Sequence, residues 1–211
     1  MKVKKGKADV ALVRLFANRA AWDVWLEKNH RKHQGLWLRL AKKGSGIRSV
    51  TYGEALEVAL TYGWIDGQKK PDSELAWLQR FVPRGQRSIW SKINREKALA
   101  LIASGGMKAA GLEAVEFARK SGRWESAYDS PKGAEVPKDF HAALDASPRA
   151  REFFQGFDRA NRYAVLFRIQ TVKKAETRAR KIVEFVAMLE RGERIHEPRK
   201  ARAVKLKVST G

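Results

Sequence analysis

Two periods run through the apolar positions of this chain, one helical and one extended. Trp22, Trp25, Leu26 and Asn29 recur at helical spacing, so residues 18–29 are expected to form an amphipathic helix anchored by two tryptophans. Residues 35–41 (GLWLRLA) instead alternate, with Leu36, Leu38 and Leu40 on one side and Trp37 and Arg39 on the other, the pattern of a half-buried strand. After the loop KKGSGIRSV, Thr51 and Glu54 have the spacing of a capping box. It should start a helix that runs to about Tyr62 and stops at Gly63, with Ala55, Val58 and Leu60 turned inward. Residues 64–68 read as a second strand or its turn and residues 74–82 as a third, joined by a turn at Lys69, Lys70, Pro71 and Asp72. Asn94 is read as an N-cap, and from there the pattern is helical: residues 95–104, 109–121, 137–145, 148–156, 159–170 and 174–191. Ser147 before Pro148, Asp158 and Gly192 mark two starts and a stop. The order predicts an α+β fold, with a small antiparallel sheet in the amino-terminal half and a predominantly helical carboxyl-terminal half.

Residues 122–137 (GRWESAYDSPKGAEVP) form a turn-rich connector in which Trp124 and Tyr128 are the packing anchors. The expected organisation is a basic tail over residues 1–11, an α+β domain over 12–130, a helical subdomain over 131–196 packed on it, and a basic disordered tail over 197–211. From Pro198 onward there is no apolar periodicity, so order there would have to come from a bound polyanion. No internal repeat is visible.

Composition adds exclusions. At 211 residues, 44% apolar and with seven tryptophans, the chain can bury an ample core without crosslinks. It has no cysteine, which removes disulfides, thiolate metal sites and cysteine nucleophiles. No run of 18 apolar residues occurs, and the apolar stretch VALVRLF near the amino end is short and broken by Arg14, so a soluble, cytoplasmic protein without a transmembrane segment is expected. The net charge of +21 falls to +12 once the nine cations of residues 1–7 and 198–211 are set aside. An excess that survives on the body favours a polyanion or an anionic surface as partner, although charge for solubility alone would give the same balance.

Chemistry concentrates in residues 61–94. Trp64, Trp77 and Trp90 need apolar pockets, whereas Lys69, Lys70, Arg80, Arg84, Arg87 and Lys92, interleaved with Phe81 and Trp90, are candidates for anion or nucleic-acid binding, since arginine forks grip phosphate and exposed aromatics stack on bases. The alternative is that the aromatics are core and the cations a solvated rim. Asp66 shares a strand face with Trp64 and is placed to pair with Arg80 or Arg84, as a structural bond or as the holder of an arginine fork. It has no second catalytic group close in sequence. The glycine-rich run Lys42 to Gly46 precedes a helix start and could cradle an anion, but it lacks both the P-loop and the dinucleotide spacing and is read as a β-to-α loop. His30 and His33 stand three apart with no third ligand in view, so no metal site and no cofactor are expected. Lys173, Lys174, Arg178, Arg180 and Lys181 beside Ile182, Phe185, Val186 and Leu189 read as a packed helix with a charged outer face, or as a basic membrane- or nucleic-acid-contacting one.

Several blocks, GLWLRLAKKGSG, SVTYGEALEVALTYGWIDGQKK, WLQRFVPRGQRSIWSKIN, GLEAVEFARKSGRWESAYDS and NRYAVLFRIQTVKKAETRARKIVEFVAMLERGE, resemble in this order the YdeI/OmpD-associated family of bacterial proteins, associated with bacteriocin protection. The resemblance spans roughly residues 12–196. It implies a small α+β protein linked to outer-membrane protein biology and antimicrobial-peptide tolerance, and it carries no catalytic residues across. Its signature falls on Gly63, Trp64, Ile65, Asp66, Gly67, Arg80, Phe81, Pro83, Arg84, Ser88, Trp90, Ser91 and Asn94.

Three functions are compatible with these residues. A non-enzymatic binding protein for an anionic partner, within an envelope-stress response suggested by the resemblance, predicts salt-sensitive binding to nucleic acid or anionic lipid. An enzyme or binding protein for a small anionic metabolite near Asp66 and Arg80 requires a pocket with convergent polar groups. A protein-docking role through exposed tryptophans requires an apolar patch or a dimer interface.

Overall fold

Residues 12–197 are described by the computed structural model, and the chain divides after Ala127 into two compact units, each with its own core. The basic tail expected over residues 1–11, and all but Glu197 of the one expected over 197–211, lie outside the described residues.

The alternating segments of the first unit build a four-stranded sheet: β1 (Val13–Arg14), β2 (Leu36–Ala41), β3 (Trp64–Pro71) and β4 (Ala76–Pro83), in the order β1-β2-β4-β3. β2 and β3 flank β4 antiparallel, as expected, but β1 joins β2 in parallel and makes the sheet mixed. A two-residue strand is too short to leave an alternation in the sequence. β3 also runs further than expected, so Lys69, Lys70 and Pro71 are strand residues and the turn comes later, where the Ser73 hydroxyl accepts from the Leu75 and Ala76 amides. A bulge between Asp66 and Lys69 lets β3 continue. Its Gly67 and Gln68 carbonyls accept from the amide of Gln79, which is only 3% exposed.

Helices α1 (Arg19–Asn29) and α2 (Tyr52–Thr61) contribute Trp22, Leu26, Ala55, Val58 and Leu60 to one core with Leu36, Leu38, Leu40, Trp64 and Phe81 of the sheet. Trp22 stacks on Trp25, meets Trp64 edge-on, and donates its indole N–H to the Ala55 carbonyl at 3.0 Å. The capping box is formed: Thr51 accepts from the Glu54 amide and Glu54 accepts from the Thr51 amide. α2 ends at Gly63, whose φ of +71° is left-handed and whose added Cβ would lie 2.6 Å from the Ala110 carbonyl oxygen, so only glycine fits. α3 (Lys92–Ala103) and α4 (Ala109–Lys120) complete the unit. The N-cap of α3 is Ser91, which accepts from the Asn94 amide at 3.2 Å; Asn94, expected to be the cap, is instead a buried residue of the first turn.

The second unit is helical: α5 (Lys138–Asp145), α6 (Pro148–Gln155), α7 (Arg159–Gln170) and α8 (Ala175–Glu190). Ser147 caps α6 and Asp158 caps α7, as their positions suggested. Phe140, Phe154, Leu166, Ile169, Ile182 and Leu189 fill its core. Buried Asn161 is bonded in both directions to the backbone of His196, which ties the end of the described chain to α7. The two connector aromatics serve different units, with Trp124 packing on Trp90 and Tyr128 on Phe167. α8 buries Ile182, Phe185 and Leu189 and carries exposed Arg180 and half-buried Lys181 paired with Glu184, a packed helix with a charged outer face.

Candidate anion-binding sites

Strand register places three of the six candidate cations, Lys69, Lys70 and Arg80. Antiparallel partners share a face, so Trp37 and Arg80 lie opposite each other on the side of the sheet away from Leu36, Leu38 and Phe81. Leu78 joins them, flanked in register by Arg39 and Lys70, and is only 5% exposed beneath those stems. The Lys70 ammonium sits 4.4 Å from the centre of the Trp37 ring and the Arg80 guanidinium 5.8 Å from it. Arg39 is paired with Asp72 at 3.0 Å and 3.2 Å, which leaves Lys70 and Arg80 as the cations that Trp37 organises.

Lys69 occupies the other face, 5.2 Å from the Trp77 ring, which in turn meets Tyr52. Asp66 is there too, and the expected bond to Arg80 or Arg84 is not formed. Its register partner is Phe81, and its carboxylate accepts from the Tyr52 hydroxyl at 2.8 Å. Arg87 and Lys92 are exposed, on the loop after β4 and at the start of α3. Lys69 and Lys70 therefore lie on opposite faces of the sheet.

Arg84 lines a cleft of about 510 Å³ within the first unit. Its backbone N–H donates a hydrogen bond to the Gly63 carbonyl, its guanidinium lies 3.5 Å from the centre of the Trp90 ring, and one nitrogen donates to the Ile89 carbonyl. Trp90 is 2% exposed and rests edge-on against Trp124, so the platform under Arg84 is itself fixed. Trp64, Phe117 and Ala114 supply apolar wall, while Gln34, Gln86 and Ser88 supply neutral polar groups. Arg31 is tied to Glu113 at 3.0 Å across the rim. Tyr62 stays a neutral phenol, because burial, reinforced by a hydrogen bond to Asp23, raises its pKa well above the ordinary value.

His30 and His33 line the same cleft but do not converge on a metal geometry. His30 Nδ1 donates to the Leu26 carbonyl, which can only accept, and the His33 ring lies against Trp25. Among the described residues no group of three His, Asp or Glu could hold a metal ion. The Lys42 to Gly46 loop is bound to the β3–β4 turn through the Lys42 ammonium and the Ser73 carbonyl, consistent with a β-to-α connection. Sequence reasoning passed over Trp37, although its outward place in the strand was visible, and Gln34 and Gln86, whose meeting with Arg84 leaves no local pattern.

The fold defines an α+β protein in which a mixed four-stranded sheet carries the aromatic and basic sites and a separate helical unit follows. Residues 133–192, in the second unit, match the family model described as Bacteriocin-protection, YdeI or OmpD-Associated, which supports that family over this part of the chain. Residues 14–114 match a different model, a domain of unknown function (DUF8412). The tryptophan and arginine signature thus falls within the second match rather than the first, and the family match is narrower than the span of the resemblance. Neither a curated protein nor a solved structure matches the chain. Among the described residues no helix is long and apolar enough to cross a membrane.

Proposed function

We propose that this is a non-enzymatic binding protein that engages a phosphate-bearing polyanion through the Trp37 face of its sheet. The observation that carries the reading is the placement of Lys70 and Arg80 around one half-buried tryptophan. Cations held against an aromatic ring lose less freedom on binding than free surface lysines, so each bond to a phosphate costs less to form. Single-stranded nucleic acid suits such a site, because its backbone is flexible and its bases have a stacking face for Trp37. The body charge that remains after the basic ends are set aside would steer the encounter. The family's description points to bacteriocin protection, and a role inside the cell in tolerance of antimicrobial peptides is part of this proposal.

The test is fluorescence anisotropy of a labelled single-stranded oligonucleotide titrated with the full chain at several salt concentrations, beside vesicles containing phosphatidylglycerol. Oligonucleotide affinity should fall steeply with salt. Lys70→Ala with Arg80→Ala should reduce the logarithmic salt slope by about 0.7 for each phosphate that is no longer neutralised. An unchanged slope in the double variant, or tighter retention on vesicles than on the oligonucleotide, would overturn the reading.

A further inference from the structure

We infer that the helical unit holds a second and separate binding site, for a small phosphate monoester, in the cavity that Lys132, Arg159 and Arg162 share. The cavity has a volume of about 300 Å³, at the lower end of the range of small-molecule sites, and no carboxylate belongs to its wall. Arg159 and Arg162 stand three residues apart on one face of α7, and Lys132 joins them from the connector before α5. Like charges gathered in this way repel one another, so an anion between them is attracted by all three. Among the described residues none of the three forms an ion pair, whereas Arg151 and Arg178 of the same unit each meet a carboxylate. The carboxylate of Asp158, next to Arg159 in sequence, caps α7 by accepting from the Asn161 amide at 2.7 Å.

The three cations are also accessible. Lys132 and Arg159 are exposed, and their side chains donate no hydrogen bond within the described residues. Arg162 is half-buried, but a ring rather than a carbonyl holds it: its guanidinium lies 4.7 Å from the centre of Phe154, which meets Phe140 edge-on in the core. Its side chain makes no hydrogen bond within the described residues, and none of its guanidinium nitrogens is shut off from solvent, so the fork is open to phosphate oxygens. Arg162 also borders a smaller cavity of about 180 Å³, where Asp145 is already taken by His141 at 2.8 Å and by Arg151 at 3.5 Å. Charge selects the ligand. A phosphate monoester carries about two negative charges at neutral pH and three acceptor oxygens, so it engages three cations where a carboxylate would leave some unmatched. Pro131, Ala134 and the buried Leu166 supply an apolar wall for the ester group. Tyr163 adds no charge, because burial raises its pKa to about 12 and its hydroxyl donates to the Asp129 carbonyl at 3.0 Å.

The probe is phenyl phosphate, with benzenesulfonate as its singly charged counterpart, followed by the backbone amide signals of Ala134 and Tyr163 in ¹⁵N-labelled full-length protein. Phenyl phosphate should shift both signals in a saturable way, and benzenesulfonate should bind at least tenfold more weakly. Lys132→Gln with Arg159→Gln, two exposed changes that break no bond within the described residues, should reduce phenyl phosphate affinity at least tenfold. Arg162→Gln should do the same, and should it fail to fold, the exposed pair decides alone. Lys70→Ala with Arg80→Ala should leave the affinity unchanged, and an oligonucleotide without a terminal phosphate should not displace the probe. No saturable shift, equal binding of phosphate and sulfonate, unchanged affinity in the Lys132 and Arg159 double variant, or displacement by the oligonucleotide would overturn the assignment. Because the Trp37 face is tested with other residues and another ligand, the two readings fail separately.

Discussion

Asp139 shows how a single charge in the helical unit responds to its surroundings. Arg178 donates to both its oxygens, at 2.6 Å and 2.9 Å, and reaches the Ile169 carbonyl with a third nitrogen, so it joins α5, α7 and α8. The hydrogen bonds from Arg178, more than its charge, lower the pKa of Asp139. A folded-state pKa below the unfolded value contributes stability that is present above the unfolded pKa, near 4, and is lost as pH falls through the folded one. The carboxylate is almost half exposed, so solvent screens the pair and the effect should be modest. Thermal midpoints measured by far-ultraviolet circular dichroism at pH 6 and pH 3 should fall less on acidification in Asp139→Asn than in the wild type. Equal falls would remove this pair from the acid response.

At the scale of elements, the helices were legible and the sheet only partly so. Leu36, Leu38 and Leu40 announced β2, and Thr51 with Glu54 announced α2, because both signals are local and repeat within one element. The end of β3 was not legible, since Lys69, Lys70, Pro71 and Asp72 have turn composition and only the bulge, a relation between two strands, keeps the first three in the ladder. For α3, Ser91 and Asn94 are both cap-forming residues, and the spacing that lets one cap the amide of the other makes them easy to exchange. The site divided in the same way. Each cation was visible as a residue, but which of them meet depends on register, and it is register that puts Arg80 beside Trp37 and Asp66 opposite Phe81. The bulge supplies the test at this scale. Gln79→Leu keeps the volume but removes the donor to the Gly67 and Gln68 carbonyls, and losing a hydrogen bond of this kind costs about 0.5–1.5 kcal/mol. The urea midpoint read by tryptophan fluorescence should drop accordingly, and a neutral result would mean that water replaces the amide.

For the whole molecule the decisive fact is the distribution of tryptophan. All seven lie before the division at Ala127, and the helical unit contains none. Tryptophan fluorescence therefore reports the first unit alone, whereas far-ultraviolet circular dichroism reports helices of both. The two cores share no residue, one centred on Trp22, Trp64 and Phe81 and the other on Phe140, Phe154 and Ile169. Phe140 is fully buried against Phe154, so Phe140→Ala should destabilise the helical unit by about 3–5 kcal/mol. If each unit folds on its own core, the fluorescence transition of the variant stays at the wild-type urea concentration while part of the dichroism transition moves to lower urea. A common shift of both probes would instead show one cooperative unit. That outcome also bears on binding, because loss of oligonucleotide affinity in Phe140→Ala would then follow from unfolding of the sheet, whereas with separate transitions the Trp37 face should bind as before.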